Sequence, residues 1–136
     1  MRNILARTVR RRAVPPVAVR GALHAIFGQD VDSVRVVEYS WYARLHPGMV
    51  ATTRYRRVYL RGSAGRFYAS PELVLHEYFH VLRQWETRTL TRGRYLLESL
   101  RHGYRQNRFE VEARAFAAEK LPRYALELAR ASMPVP

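Results

Sequence analysis

The amino-acid sequence predicts an α+β domain, and three observations carry that prediction. A short amphipathic stretch near the start is followed by three segments rich in β-branched residues, and helical periodicity then runs to the end of the chain. Turn-forming residues, Pro47-Gly48, Gly62 and Gly65, fall between these segments. The apolar stretch LVLHEYFHVL, residues 73–82, sits behind Ser70-Pro71-Glu72, which combines an N-cap hydroxyl, a proline for the first helical position and a first-turn carboxylate.

Taken in order, residues 1–14 read as a flexible basic arm, rich in arginine and without an apolar run of signal-peptide length. Residues 15–136 read as one domain. Pro15-Pro16 opens a helix through Val19, Leu23, Ile26 and Phe27 that Gly28 closes. Residues 34–39 form the first expected strand. Residues 49–53 and 57–61 give two more, with Gly62 and Gly65 in the loop that follows. The helix from Pro71 meets no glycine or proline before about Arg88, and Leu75, Tyr78, Phe79 and Leu82 give it a core-facing stripe. Gly93 separates it from a short helix over residues 95–100, ended near Gly103. A further helix spans residues 107–120, and Pro122 restarts the last one, to about Ala131.

Composition narrows the function classes. The chain has 136 residues, enough for a real hydrophobic core in one domain. No apolar run approaches the length of a membrane-spanning helix. With 0 Cys, disulfides are impossible, a metal site must use His, Glu, Asp or water, and a reducing cytoplasm is the expected setting. The 24 Lys+Arg against 11 Asp+Glu give a net charge of +13, with Lys120 the sole lysine. Residues 39–71 contain no acid but hold Arg44, Arg54, Arg56, Arg57, Arg61 and Arg66. Such a surface draws acidic proteins or other polyanions, whether through a defined site or through a non-specific solvated face. No helix-turn-helix spacing, zinc-finger pattern or aromatic RNA-binding motif accompanies the charge.

His76-Glu77-Tyr78-Phe79-His80 is the pattern that carries chemistry. Residues i and i+4 of a helix lie one above the other, so His76 and His80 can share a metal ion. Glu77 lies about 100° around the helix, near enough to hold a water without ligating. This is the zinc-hydrolase arrangement His-Glu-x-x-His. Its structural alternative is a pair of core histidines satisfied by hydrogen bonds, with Glu77 on a solvated face.

Catalytic zinc usually takes three protein ligands and leaves one position open. The best source of a third is the helical segment NRFEVEARAFA, residues 107–117. Glu110 shares a face with Ala113 and Ala117, small residues that let two helices approach closely. Glu112 is the alternative. It stands about 200° away from Glu110 on the helix, so the two carboxylates cannot both face one ion.

HEYFH followed by FEVEARAFA resembles the zincin metallopeptidases with a glutamate third ligand, in which a Glu-x-x-Ala signature on a second helix completes the zinc site. More closely, residues 20–120 resemble the small bacterial metallopeptidase domain associated with extracellular contractile injection systems. The resemblance implies His76, His80 and Glu110 as zinc ligands, Glu77 as the catalytic carboxylate, and an edge strand near residues 58–60 where an extended peptide could add. Several zincin families carry an Asp four residues after the third ligand to buttress a zinc-bound histidine. Here that position is Arg114, which cannot accept a hydrogen bond.

The expected function is therefore zinc-dependent hydrolysis of peptide bonds, with Glu77 as general base. The oxyanion stabiliser is open among His102, Tyr104 and Arg114, which flank the second motif. The alternative is a weak or inactive zincin-fold binding module that engages an acidic partner through its basic surface.

Overall fold

Buried Val36, Val58 and Leu60 alternate with more exposed Arg35, Arg57 and Tyr59, the period-two pattern of a sheet with one face on the core. A computed structural model describes residues 12–44, 49 and 51–133. It contains a four-stranded sheet of β1 (Arg12–Ala13), β2 (Arg35–Val37), β3 (Ala51–Arg54) and β4 (Arg57–Leu60), in the order β1-β2-β4-β3. Strands β2 and β4 are parallel, and the other two pairings are antiparallel. The expected turn at Pro47-Gly48 lies outside the described residues, as does most of the expected N-terminal arm. Arg12 and Ala13 leave that arm to pair with Val37 and Val36.

The sheet order corrects one expectation. The strand holding residues 58–60 is internal, paired on both sides, and β3 is an edge strand, unpaired on its outer side among the described residues. The two-residue connection Tyr55-Arg56 folds β3 back on β4, and Arg56 adopts a left-handed conformation at φ 58° to make it. The first expected strand also stops early, at Val37, because Tyr39 turns left-handed at φ 50°.

The helices are α1 (Val17–Phe27), α2 (Trp41–Arg44), α3 (Ala64–Tyr68), α4 (Pro71–Phe79), α5 (Arg92–Gln106) and α6 (Arg108–Ala131), with a 3₁₀ turn at Gln29–Ser33. The architecture is thus α+β. Gly65, expected in a loop, lies inside α3, whose start is capped by Ser63 Oγ accepting from Arg66 N and by the Glu38 carboxylate accepting from Ala64 N. Gly93 likewise lies inside α5 rather than before it, because Thr91 caps the helix upstream.

Pro122 does not restart a helix either. It lies within α6, and the buried Phe109, Ala113, Ala117 and Tyr124 hold both halves of that helix against the core. An interior proline removes one helical hydrogen bond and crowds the carbonyl four residues back, here that of Ala118, a cost of about 3 kcal/mol that packing on either side can offset. Helix α6 packs against both α1 and α4, with Leu23, Val74, Leu75, Tyr78, Val81 and Tyr124 among the residues most completely buried. That packing sets α6 alongside α4, and the candidate site lies between them.

Candidate metal centre

Helix α4 begins as its sequence dictates, with Ser70 at the N-cap and Pro71 at the first position, although the Ser70 hydroxyl makes no capping bond. It does not run unbroken to Arg88. At His80 the α-helix passes into a π-helical turn, His80–Trp85, in which Glu86 N donates to Val81 O at 2.9 Å. Wide turns of this kind occur mostly as single insertions and often at functional sites.

His76 and His80 project together toward α6. Their Nε2 atoms are 3.0 Å apart. Glu110 closes the third side, with Oε2 2.9 Å from His76 Nε2 and Oε1 3.3 Å from His80 Nε2. One potential ligand atom from each residue lies within 4.8 Å of the others. The close approach comes from Ala113 and Ala117, both fully buried one and two turns beyond Glu110. Glu110 sits in the first turn of α6, where the helix dipole favours a carboxylate. Asn107 caps that helix through Oδ1, which accepts from Phe109 N, while its Nδ2 donates to Tyr95 O and Ser99 Oγ. A single buried amide therefore ties α5 to the first turn of α6.

The protonation of His80 follows from its neighbour. Gln84 is almost completely buried, and its Nε2 donates to Phe109 O at 3.0 Å and to the Glu112 carboxylate at 3.1 Å. Both partners are acceptors, so the amide orientation is fixed and Oε1 faces His80 Nδ1 at 2.6 Å. Nδ1 must carry the proton in that bond, which leaves Nε2 of the neutral ring as a lone pair aimed at Glu110 and His76. Two imidazole nitrogens and a carboxylate converging in this way are a donor set suited to zinc, and such histidines characteristically donate their other N–H to an acceptor. Gln84 supplies the acceptor that Arg114 cannot. Glu112 faces away from the three ligand atoms and orients Gln84 instead.

Burial pushes the Glu77 carboxyl above its ordinary value, opposed by the two histidines. For His80, burial favours the neutral ring, but the hydrogen bond to Glu110 and the charges of Glu77 and Glu110 outweigh it and raise the pKa. Burial likewise disfavours the charged Glu110, yet hydrogen bonds from His76 and His80 hold it well below the usual carboxylate range. Without a cation, the cluster compensates its negative charge by binding protons.

Glu77, His80 and Glu110 line a cleft of about 200 Å³ whose opposite wall includes Thr52, Thr53 and Arg54 of the edge strand β3. The solvated Glu77 of the structural alternative is not what the fold produces, since Glu77 is only 7% exposed. Trp85, at the end of the π-helical turn, donates from Nε1 to Thr53 Oγ1 at 3.2 Å and so fixes β3 to the turn that follows α4.

Of the three oxyanion candidates, Tyr104 lines the cleft, with its hydroxyl pKa pushed up to about 12 by burial and by the charges of Glu110 and Glu77. His102 is exposed and lies beside Glu98. Arg114 turns its guanidinium to the Arg105 carbonyl at the end of α5. Sequence reasoning missed Gln84, Tyr95 and Asn107. Tyr95 donates its hydroxyl to Glu110 Oε1 at 3.0 Å and lines the cleft. Gln84 stands one turn beyond His80 beside Arg83, a spacing that does not by itself assign it the acceptor's role, and Tyr95 carries no local signal.

Searches against protein-family models, curated proteins and solved structures return no match for this chain. Among the described residues, no helix is long and apolar enough to cross a membrane.

Proposed function

We propose that this chain is a zinc-dependent metallopeptidase. One observation carries the reading: three potential ligand atoms, from His76, His80 and Glu110, converge beside a buried carboxylate that opens onto a cleft with a free strand edge. A metal held there would have His76 and His80 through Nε2 and Glu110 through its carboxylate. Zinc in that position supplies a Lewis acid that polarises a carbonyl and lowers the pKa of a water.

The remaining steps belong to the chain's own residues. The backbone of β3 receives an extended peptide by hydrogen bonding along its unpaired edge. Glu77 takes a proton from the attacking water and delivers it to the departing amine. Gln84 holds His80 in the tautomer that presents Nε2. Tyr104 keeps its hydroxyl proton at neutral pH and faces the cleft as a hydrogen-bond donor to oxygen, while the Tyr95 hydroxyl donates to Glu110 and orients its carboxylate.

The alternative, an inactive zincin-fold module that engages acidic partners, shares the ligands and the basic surface but not the turnover. Glu77→Gln separates the two. The amide is nearly isosteric and cannot act as a base, so zinc content and fold should survive while hydrolysis of a mixed peptide pool drops by about 10²–10⁴-fold. Equal hydrolysis by the wild type and Glu77→Gln would contradict the mechanism.

A further inference from the structure

The metal-site cleft does not end at β3. It continues into a groove of about 780 Å³, the two sharing Arg54, Trp85 and Arg92 as wall residues. Six arginines line that groove: Arg12, Arg35, Arg54, Arg56, Arg57 and Arg92. The acid lining it, Asp32, is already engaged by Arg20 Nε and Nη2, each at 2.9 Å, and by His24 at 3.0 Å. Arg56 lies 3.3 Å from Glu86. Among the described residues, Arg35, Arg54, Arg57 and Arg92 have no carboxylate within ion-pair distance.

The sheet register makes this arrangement costly. Arg35 pairs with Arg57 across β2 and β4, and Arg57 pairs with Arg54 across β4 and β3. Three guanidiniums therefore stand in one cross-strand row, on the face opposite Val36 and Val58, and like charges directly opposite one another destabilise a sheet. Arg54 ends the row at the free edge. Its guanidinium lies 5.4 Å from the centre of the Tyr42 ring, and its Nη1 is buried with no hydrogen-bond partner among the described residues. A buried unpartnered donor on a cation is expensive unless something completes it.

We propose that this row is a specificity subsite for an acidic segment of a peptide substrate. The inference rests on the peptidase reading and adds a substrate class to it. A peptide strand added to the edge of β3 becomes the next strand after β1-β2-β4-β3. Its residue opposite Arg54 then extends the arginine row, and an Asp or Glu there places a carboxylate beside the guanidiniums of Arg54 and Arg57 that line the groove. Residues two apart on a strand share a face, so a second acid two positions along meets the same groove. The continuity of groove and strand edge favours a peptide over a nucleic acid, because an extended polypeptide can use both at once.

The test uses full-length Glu77→Gln protein loaded with zinc, so that bound peptide stays intact. Fluorescence anisotropy at physiological salt compares a peptide containing Asp-Glu repeats, its Asn-Gln counterpart, and an oligothymidylate of the same net charge. The acidic peptide is expected to bind at least tenfold tighter than the amide peptide. Arg54→Gln should remove about tenfold of that preference and Arg54→Gln with Arg57→Gln nearly all of it. Arg130→Gln, an exposed arginine at the end of α6, should leave the preference unchanged. Thermal melts should show both groove variants at least as stable as the parent, since each relieves repulsion in the row. Equal binding of the acidic and amide peptides, or an acidic preference indifferent to Arg54, overturns the proposal. So does oligothymidylate binding that is as tight as the acidic peptide's and equally dependent on Arg54. Failure of the peptidase reading would look different: no cleavage of any peptide by wild-type protein, with Arg54-dependent binding intact.

Discussion

Gln84 decides what His80 can do. Replacing it with leucine keeps the volume but removes the acceptor for His80 Nδ1 and the donor for Phe109 O. Loss of such outer partners typically costs 10–100-fold in metal affinity. The buried His80 Nδ1–H, left without its acceptor, costs roughly 1–3 kcal/mol more in stability. Gln84→Leu should therefore weaken zinc binding by about one to two orders of magnitude in a competition titration with a chromophoric chelator. Gln84→Glu, which retains the acceptor, should weaken it less. Equal affinity for the wild type and Gln84→Leu would show that the hydrogen bond plays no part in holding the ligand. The convergence of His76, His80 and Glu110 was legible from spacing: the i, i+4 histidines share one face of their helix, and Ala113 and Ala117 mark the face of α6 that can approach it. The buttress was not. The resemblance directed attention to the position of Arg114, whereas Gln84 approaches from the other helix, and no rule of spacing says which helix will provide that acceptor.

Among the elements, α5 depends on one residue. Gly103 adopts φ 76° and ψ 167°, a combination almost confined to glycine, and it divides the helix just before Tyr104. A Cβ there would meet no atom within 4 Å, so the penalty for Gly103→Ala is conformational. The expected loss is about 1–3 kcal/mol in urea unfolding. A change well under 1 kcal/mol would mean that the break relaxes into a continuous helix. Sequence reading found this break, because Gly103 interrupts an otherwise regular pattern. It misjudged the ends of other elements, where tertiary contacts outweigh local propensity. Trp85 reaches Thr53 from a π-helical turn where an ordinary helix was expected. Pro122 sits in a helix whose flanking residues are too well buried to separate. Position along the chain also gave no indication that β3, rather than β4, would lie at the sheet edge, since that depends on β2 pairing in parallel with β4.

For the whole molecule, the metal-free cluster links stability to pH. Glu77 and His80 both have raised pKa values in the folded chain, so the folded state holds protons that the unfolded state has released. Stability from such groups is fully present below their ordinary values, 4.5 and 6.5, and is lost as pH rises through the folded values. Glu110 is lowered, so its contribution is already complete above the ordinary carboxylate range and is lost only in strong acid. Metal-free protein should therefore lose stability as pH rises from the ordinary Glu77 value, 4.5, past the ordinary His80 value, 6.5. Zinc requires neutral histidines and should stabilise most at the upper end of that range. Thermal melts with and without zinc across this range test the claim, and a zinc effect that grows toward acid would contradict it.

The α+β class was legible from the order of periodicities alone, because helix, strand and helix patterns occupy separate stretches of the chain. The arginine groove was legible only as composition. Its sharpness comes from a register that sets Arg35, Arg57 and Arg54 side by side, and no linear pattern encodes it.

The central claim is that His76, His80 and Glu110 form one zinc site. The most direct measurement is zinc stoichiometry by elemental analysis of protein purified without chelator and dialysed against limiting zinc, for the wild type, Glu110→Ala and Glu112→Ala. The account predicts about one zinc per chain in the wild type, as expected for a site of three protein ligands. It predicts near-complete loss in Glu110→Ala and retention in Glu112→Ala, whose carboxylate accepts from Gln84 and is not among the three converging residues. A wild-type chain without zinc, or zinc lost in Glu112→Ala and kept in Glu110→Ala, would contradict it.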